Sequence, residues 1–232
     1  MSLLTLAIDV GGSNIKAILL KEDGTAVSQR LIMATPHPAI PDILVAALIN
    51  LIALHNNYDR ISIGFPSVVE NGITRGAINL HPNWDGFALA EILQTKLDKP
   101  IKIANDADVQ GCGAISGQGV ELVITLGTGF GSSLFLNGKL LPNLELGQHI
   151  FCDRHTYEDR LGQAALTQIG IKVWNIRLLE AIATLYKLFN YDHLYIGGGN
   201  ARLVSIDLPS NVKIVSNDLG LLGGLALWRY SS

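Results

Sequence analysis

The stretch Asp9-Val10-Gly11-Gly12-Ser13-Asn14-Ile15-Lys16 lies near the start of the chain and decides its fold. Apolar and β-branched residues precede and follow its glycines, so the pattern predicts two strands, over residues 3–10 and 14–20, joined by a glycine turn. Glycines let backbone N–H groups approach phosphate oxygens closely. Asp9 could hold Mg²⁺ through water, and Lys16 could approach a phosphate or lie on the surface of the second strand. The alternative interpretation is an ordinary hairpin with a Gly-Gly turn.

The same arrangement returns about half a chain later, at Thr125-Leu126-Gly127-Thr128-Gly129-Phe130-Gly131-Ser132. Strands are predicted on both sides of this turn, over residues 121–126 and 132–136. It is not a Walker loop, because no Gly-Lys-Ser/Thr follows, and it is not a dinucleotide fingerprint, because a strand and not a helix comes next. A glycine-rich hairpin is again the alternative. Two such turns at matching positions favour a pair of phosphate sites that clamp a polyphosphate chain.

The remaining pattern alternates between strands and helices. Further strands are predicted over residues 25–33, 60–65, 100–104, 193–196 and 212–215, and helices over residues 41–55, 86–97, 108–116, 161–189 and 219–230. The sequence therefore passes twice through strand, glycine turn, strand and helix. We expect an α/β fold of two related lobes, residues 1–107 and residues 108–232, with a ligand cleft between them.

The dipeptide Asn105-Asp106 follows an apolar predicted strand. Open α/β sheets usually bind their ligands at the carboxyl ends of strands. A hydroxyl is a poor nucleophile at neutral pH, and phosphoryl transfer to an alcohol needs a positioned aspartate that accepts the hydroxyl proton. Asn and Asp are also favoured helix N-caps, so a cap before Ala107 is the alternative.

Acidic residues and histidines cluster beyond the second glycine turn, at Glu145, His149, His155 and Glu158. A carboxylate accepts hydrogen bonds from two hydroxyls at once, so this cluster could bind a polyol. A metal site is the competing interpretation, because Cys152 lies among these residues. The spacing matches no standard zinc finger and the cluster has one cysteine, so we do not expect zinc.

A third glycine-rich segment, Gly197-Gly198-Gly199-Asn200, follows the predicted strand over residues 193–196. It could let a ligand that carries adenine lie close to the backbone. A plain turn from a strand to a helix is the alternative.

Composition and charge bear on the class of protein. The 232 residues have a net charge of −3 and 16% charged side chains, which is no footprint of nucleic-acid binding and suggests a buried subunit interface, as in a homodimer. Two cysteines make no disulfide framework, so a reducing cytoplasm is expected. No apolar run reaches the length of a membrane span, and no secretory signal opens the chain.

Taken in order, these motifs resemble the ROK family of sugar kinases, and most closely its polyphosphate glucokinase branch. Several further segments share the resemblance: Thr35-Pro36-His37-Pro38, Gly64-Phe65-Pro66-Ser67-Val68-Val69, Asn79 with Trp84, and Pro142-Asn143-Leu144-Glu145-Leu146-Gly147. Ser67 stands where the family usually has glycine. The resemblance covers nearly the whole chain, and its specificity lies in the ordered set of motifs.

The resemblance implies an actin-like ATPase fold, a duplicated ribonuclease H-like architecture, and a hexose kinase that uses ATP or polyphosphate with Mg²⁺. It implies that Asp106 is the general base toward the sugar 6-hydroxyl. It implies sugar contacts by Asn79, Asn105, Glu145, His149 and Glu158. It also implies donor contacts by the glycine turns, whose candidate residues are Asp9, Gly11, Gly12, Ser13, Lys16, Gly127, Thr128, Gly129, Gly131, Gly198 and Gly199.

The sequence departs from the family pattern at Gln148, which follows Glu145-Leu146-Gly147 where the family has histidine. Aligning His149 with the family histidine keeps Asp153, His155, Glu158 and Arg160 in step with the polyphosphate branch. The family's cysteine-rich zinc motif is absent, and the chain is short after Glu158. These departures leave a rival hypothesis, a sugar-binding sensor with weak or no catalysis.

Overall fold

The computed structural model describes residues 2–76, 80–216 and 219–229 of the chain. In its first half the elements are β1 (Leu4–Val10), β2 (Asn14–Lys21), β3 (Leu31–Ala34), α1 (Pro41–Ala53), β4 (Arg60–Phe65), β5 (Val68–Glu70), β6 (Ile73–Arg75), α2 (Leu89–Leu97), β7 (Ile101–Asn105) and α3 (Asp106–Ala114). In its second half they are β8 (Val120–Leu126), β9 (Phe130–Leu136), β10 (Lys139–Leu141), β11 (Ile150–Cys152), β12 (His155–Thr156), α4 (Tyr157–Leu161), α5 (Gln163–Phe189), β13 (His193–Gly197), β14 (Val212–Ile214) and α6 (Leu219–Ala226).

The two principal sheets repeat one topology. The first has the strand order β3-β2-β1-β4-β7, and the second has the order β10-β9-β8-β13-β14. In each sheet the hairpin strands are antiparallel, and the next two strands run parallel to the first hairpin strand. The duplication that the two glycine turns predict is therefore present in the strand order.

Alternation along β1 explains how the first sheet is covered on both faces. Leu6 and Ile8 belong to a large apolar cluster that includes Leu44 and Leu48 of α1. Ala7, between them, belongs to a cluster with residues of α6. Successive side chains of a strand point to opposite faces, so one apolar run packs against two different helices.

The chain divides into two compact units, residues 1–113 with 220–232 and residues 114–219. This division differs from the predicted boundary after residue 107, because most of α3 and most of α6 belong to the first unit. The reason is close packing. A Cβ added at Gly64 in β4 would lie 3.6 Å from Val109 of α3, and one added at Gly223 in α6 would overlap the Val109 carbonyl.

Most predicted elements are present, with differences at their ends. The predicted strand over residues 25–33 is wrong in extent, because only Leu31–Ala34 is a strand. The helix predicted from residue 86 begins at Leu89, after Gly86 with a positive φ of 78°. The helix predicted from residue 108 begins at Asp106. The short strands β5, β6 and β10 to β12 were not predicted.

Three further findings bear on the functional predictions. Asn79 lies outside the described residues, so its predicted sugar contact remains a prediction. Within the described part of the chain, no helix is long and apolar enough to cross a membrane. Helix α5 is interrupted at Gly170, whose φ of 76° and ψ of 161° are not helical.

Candidate active site

The first glycine turn, residues 11–13, joins β1 to β2. The Gly11 N–H donates to the Asn14 carbonyl at 3.0 Å. Thr35 holds two turn carbonyls, because its hydroxyl donates to Gly11 O at 2.6 Å and its N–H donates to Ser13 O at 3.0 Å. A Cβ at Gly12 would meet no atom within 4 Å. The turn is therefore fixed from one side and open on the other.

A pocket of about 280 Å³ lies beside this turn in the first unit. Its lining includes Gly11, Gly12, Thr35, His37 and His81. The Thr35-Pro36-His37-Pro38 segment, which carries part of the family resemblance, thus forms a wall of the pocket. The structure gives this segment a place next to the candidate phosphate turn.

Asp9 and Lys16 face each other across the β1–β2 hairpin. They are direct partners in the strand register, and Lys16 Nζ lies 3.2 Å from Asp9 Oδ2. Both side chains remain about a quarter exposed, at 27% for Lys16 and 25% for Asp9. The Lys16 ammonium thus lies beside the Asp9 carboxylate on the hairpin, and its contact with phosphate stays a prediction.

The sequence left open whether Asn105-Asp106 supplies a catalytic aspartate or a helix cap, and in the structure the two residues differ in their contacts. Asn105 caps α3, because its Oδ1 accepts hydrogen bonds from Ala107 N at 2.9 Å and Asp108 N at 3.3 Å. Its Nδ2 donates to Ser67 O at 3.2 Å. Asp106 is the first residue of α3 and is half-buried, and its Oδ1 accepts from Ala107 N at 2.8 Å. Because Asn105 serves as the cap, Asp106 is not needed for that function.

The register of the first sheet relates Asp106 to the first glycine turn. Asp9 pairs with Gly64 of β4, and Gly64 pairs with Ala104 of β7, in parallel ladders. The carboxyl ends of β1, β4 and β7 therefore lie at one edge of the sheet. Neighbouring strands are about 4.8 Å apart, so β7, which directly precedes Asp106, lies roughly 10 Å from β1, which directly precedes the turn.

The second glycine turn, residues 127–129, is fixed by several hydrogen bonds. Gly127 N donates to Gly129 O at 3.1 Å, and Gln163 N at the start of α5 donates to Thr128 O at 3.1 Å. Asn200 holds two carbonyls where the turn begins, because its N donates to Leu126 O, at the end of β8, at 2.9 Å and its Nδ2 donates to Gly127 O at 3.2 Å. Gly131, predicted within the turn region, lies in β9 opposite Thr125.

The third glycine-rich segment lies against the second turn. Gly198 has a φ of 87°, and a Cβ there would overlap the backbone of Leu126, including its carbonyl oxygen. The absence of a side chain is therefore what allows this close approach. A Cβ at Gly199 would meet nothing within 4 Å. The structure thus brings together two segments that are about 70 residues apart in the sequence.

The acidic cluster of the second unit also reaches the second turn. The Glu158 carboxylate accepts a hydrogen bond from Phe130 N at 3.2 Å, and a Cβ on Gly129 would overlap it. Desolvation, and then the negative charge of Glu158, raise the pKa of the Glu145 carboxyl. The negative charge of Glu158 therefore reaches the Glu145 carboxyl.

The segment that contains the insertion begins with a single turn of 3-10 helix, Leu146–Gln148. Gln148 N donates to Glu145 O at 3.2 Å, and His149 N donates to Leu146 O at 2.9 Å. The His149 ring lies 6.5 Å from the ring of buried Tyr157, whose backbone N–H donates to His149 O at 3.1 Å. Both Gln148 and His149 are exposed.

The residues that keep His149 in step with the family have defined contacts. Arg160 Nη2 donates to Asp153 Oδ2 at 2.9 Å, and His155 Nδ1 lies 2.8 Å from Asp153 O. Within residues 2–76, 80–216 and 219–229, no group of three His, Cys, Asp or Glu side chains is close enough to hold a metal ion.

Sequence reasoning missed Thr35, Gln163 and Asn200 as residues that hold the glycine turns. Thr35 and Asn200 lie in segments that the sequence analysis singled out, but their hydrogen-bond partners are distant along the chain. Asn200, which directly follows Gly197-Gly198-Gly199, is the one of the three that its neighbours in the sequence could have indicated, whereas Thr35 and Gln163 are brought to the turns only by the fold.

Comparison with known proteins identifies the family. The model of the ROK family matches residues 5–147, which is more than half of the chain. The chain therefore belongs to the ROK family. Among its relatives is a polyphosphate glucokinase of Mycobacterium tuberculosis (strain CDC 1551 / Oshkosh), 31% identical over 233 residues, which cover 93% of this chain and 88% of the relative. A polyphosphate glucokinase of Mycobacterium leprae (strain TN) is 27% identical over 233 residues, 93% of this chain and 72% of the relative.

Solved structures of sugar kinases are also similar to this chain. The inorganic polyphosphate/ATP-glucomannokinase of Arthrobacter sp. strain KM has a TM-score of 0.88 and 26% identity, with 98% of this chain and 100% of that chain covered. A ROK family glucokinase of Streptomyces griseus, in complex with glucose and AMPPNP, has a TM-score of 0.76 at 20% identity, with 97% and 98% covered. The predicted family, the actin-like ATPase fold class and the predicted enzyme class, a sugar kinase, are confirmed.

Proposed function

We propose that this ROK protein transfers the terminal phosphoryl group of ATP or polyphosphate to the 6-hydroxyl of glucose or a related hexose. The observation that carries this proposal is the position of Asp106 at the carboxyl edge of the first sheet, two strands from the first glycine turn. A general base and a phosphate site at one sheet edge are the parts that phosphoryl transfer to an alcohol requires.

In the proposed reaction, the Asp106 carboxylate accepts the proton of the sugar 6-hydroxyl as that oxygen attacks the terminal phosphorus. The bond from this phosphorus to the bridging oxygen of the donor breaks. The products are the hexose 6-phosphate and ADP, or a polyphosphate shortened by one unit. The hydrogen bond from Ala107 N to Asp106 Oδ1 supports this role, because it orients the carboxylate at the start of α3.

The glycine turns are the proposed donor-binding elements, with contacts from Gly11, Gly12 and Ser13 in the first unit and from Gly127, Thr128 and Gly129 in the second. Within the described residues, the N–H groups of Gly12, Ser13, Thr128 and Gly129 have no protein acceptor. Backbone donors that point out of a turn bind phosphate oxygens. Gly131, Gly198 and Gly199 are proposed to contribute contacts beside the second turn.

Asp9 is the proposed Mg²⁺ residue, acting through water, and Lys16 the proposed phosphate contact. Mg²⁺ is usually held by one or two carboxylates together with waters and substrate phosphates, and a partly exposed carboxylate beside an open glycine turn fits that chemistry. The bound ion would neutralise charge on the donor phosphates. Lys16, held at Asp9 by the 3.2 Å ion pair, supplies a second positive charge at the same place.

Hexose binding is proposed for Asn79, Asn105, Glu145, His149 and Glu158. The support in the second unit is that the Glu158 carboxylate lies at Gly129 of the second turn and that its negative charge contributes to the raised pKa of Glu145. In the first unit, the Asn105 amide is already engaged with Ser67 O and with the start of α3. Its proposed contact to sugar would therefore come from an amide held in one orientation.

The test is a coupled assay in which the hexose 6-phosphate product is oxidised by a dehydrogenase and the reduced nicotinamide is measured. Glucose and mannose are offered with ATP or with polyphosphate, each with and without Mg²⁺. Turnover with either donor supports the proposal. Glucose binding in a calorimeter without turnover with any donor contradicts it and favours the rival sugar-binding sensor.

We also propose that the chain forms a homodimer through an exposed stripe on α5. Ile176, 58% exposed, lies near the middle of the stripe, with Val173 and Leu179 beside it. Lys172 and Glu180 lie four residues before and after Ile176, about 6 Å along the helix in each direction. In an antiparallel pair with a two-fold axis at Ile176, Lys172 of each copy lies level with Glu180 of the other.

The dimer is tested by sedimentation at micromolar concentration. The wild-type chain is expected to sediment as a dimer, and Ile176→Glu as a monomer. Leu54→Glu is the matched control, because Leu54 is an exposed leucine at the end of α1 in the first unit. A wild-type monomer would contradict the proposal.

A further inference from the structure

The two glycine turns share a detail of peptide orientation. In a trans peptide, the C=O of one residue and the N–H of the next point in opposite directions. In the first turn, the carbonyl of Gly11 and the N–H of Gly12 belong to one peptide. In the second turn, the carbonyl of Gly127 and the N–H of Thr128 belong to one peptide. These peptides occupy the same position, directly after the first residue that follows β1 or β8.

In each turn this first peptide is held by one buried polar side chain. The Thr35 hydroxyl donates to Gly11 O at 2.6 Å, and Thr35 is 6% exposed. The Asn200 Nδ2 donates to Gly127 O at 3.2 Å, and Asn200 is 8% exposed. Thr35 directly follows β3, whereas Asn200 lies in the segment after β13. The two units therefore hold the corresponding turn carbonyl with residues from different elements.

Holding the carbonyl on the protein side directs the N–H of the same peptide away from it. Within the described residues, neither Gly12 N–H nor Thr128 N–H has a protein acceptor. Both are therefore available to a ligand atom, and their direction is set before any ligand arrives. Preorganised donors bind an anion more tightly than donors that must turn, because no reorganisation accompanies binding.

We infer that Thr35 and Asn200 are positioning residues that aim the N–H groups of Gly12 and Thr128 at the phosphoryl donor. The inference rests on the proposed function for the identity of the ligand, and it adds that two buried side chains set donor affinity through the turn carbonyls that they hold. The ligand class is a phosphoric anhydride, either a nucleoside triphosphate or polyphosphate.

Asn200 is itself held in place. Its Nδ2 also donates to Gln163 Oε1 at 2.9 Å, and its N–H donates to Leu126 O at 2.9 Å. Both amide protons and the backbone donor of Asn200 are thus engaged. Asn200 is 8% exposed, so its side chain cannot turn away from Gly127 without leaving its own buried amide donor unpaired.

The test uses Thr35→Val and Asn200→Leu, which keep side-chain size and remove the hydrogen-bond donor. Calorimetry measures the Kd of the magnesium complex of a non-hydrolysable ATP analogue, of polyphosphate and of glucose. Each variant is expected to raise the donor Kd by about tenfold, the loss expected for one charge-assisted hydrogen bond. The glucose Kd is expected to stay within twofold of wild type, and Thr35→Ser is expected to recover donor affinity.

The matched controls are Thr74→Val and Asn175→Leu. Thr74 is a buried threonine in the first unit whose hydroxyl donates to backbone carbonyls of Trp84 and Phe87. Asn175 is a buried asparagine in the second unit whose Nδ2 donates to Ile171 O and Leu203 O. Both controls are expected to lower the melting temperature without a selective change in donor Kd. Thr35→Ala and Asn200→Ala replace the first pair if either fails to fold.

A donor Kd within twofold of wild type in a folded variant overturns the inference, and so does an equal loss of glucose affinity. A wild-type chain that binds neither ATP analogue nor polyphosphate overturns both the inference and the proposed function. Selective loss of donor binding in a chain that shows no turnover supports the inference and contradicts the proposed function.

Discussion

Lys16 Nζ lies 3.2 Å from Asp9 Oδ2, which joins the predicted phosphate residue to the predicted Mg²⁺ residue before any ligand is bound. The two residues are register partners on β1 and β2, so the hairpin itself sets their separation. Both are partly exposed, and a pair of this kind in water contributes little to stability. We expect the pair of Lys16 and Asp9 to contribute to donor binding instead.

Lys16→Met is therefore expected to weaken donor binding by about tenfold or more, because one charge-assisted contact to phosphate is lost. The melting temperature should change little. Lys21→Met is the matched control, because Lys21 is an exposed lysine at the end of the same strand. Calorimetric titration of magnesium and ATP analogue measures both variants, and equal donor affinity in Lys16→Met and wild type would remove Lys16 from the site.

Asp106→Asn is expected to reduce turnover by roughly a hundredfold to ten-thousandfold, the typical range for loss of a general base. Glucose affinity should survive, since the amide keeps the shape of the carboxylate. The measurement is kcat in the coupled assay together with the glucose Kd by calorimetry. Asp42→Asn, an exposed aspartate in the first turn of α1, is the control. Turnover of Asp106→Asn within about threefold of wild type would exclude the base role.

His149→Ala is expected to weaken hexose binding by about 1–3 kcal/mol, the cost of leaving polar partners unpaired. Gln148→Ala should be nearly silent. The two residues are adjacent and both exposed, so each variant serves as the control for the other. Calorimetric titration of glucose compares them. Damage by Gln148→Ala with a silent His149→Ala would reverse the alignment of His149 with the family histidine.

Glu121 is expected to make folding stability depend on pH. Burial alone would raise the pKa of its carboxyl, but hydrogen bonds from Ser116, Gly117 and Tyr195 outweigh burial and hold that pKa below its usual value. A lowered pKa means that the contribution to stability is complete above the pKa of the unfolded chain, about 4.3. It is lost as the pH falls through the lower pKa of the folded protein.

Glu121→Gln should therefore lower the melting temperature at pH 7, and the difference from wild type should shrink as the pH falls below about 4. The amide presents one acceptor oxygen to donors that the carboxylate now satisfies with two. Glu91→Gln, an exposed glutamate of α2, is the control. Thermal unfolding from pH 3 to pH 7 measures all three proteins, and a constant difference across this range would contradict the linkage.

Gly198→Ala is expected to disrupt the second glycine turn, because its Cβ would overlap the Leu126 backbone and its φ of 87° strains any other residue. Donor affinity and melting temperature should both fall. Gly220→Ala is the control, since a Cβ there meets nothing within 4 Å and Gly220 has no proposed part in donor binding. Calorimetry and thermal unfolding compare them, and identical behaviour of the two variants would show that the close approach has no effect.

The repeated strand–turn–strand pattern predicted an α/β fold with two related lobes, because glycine turns between apolar runs are local signals. The family was predicted by the resemblance of the ordered set of motifs. The apolar run over residues 60–65 predicted β4 with the bounds that the structure shows. The bounds of α3 could not be predicted in this way. The Asn105 side chain serves as the cap and starts the helix at Asp106, and the choice between two adjacent capping residues depends on where each side chain finds its partners.

Sequence by itself determined the residue types at the candidate site: an aspartate after β7, glycines after β1 and β8, and acids after β10. These choices depend on local backbone freedom and on the chemistry of single side chains. Only the tertiary structure decided that Thr35 holds Gly11, that Asn200 holds Gly127, and that α6 packs with the first unit. Such pairings join residues 24 to more than 100 positions apart, so they depend on how the whole chain buries its polar groups and closes its sheets.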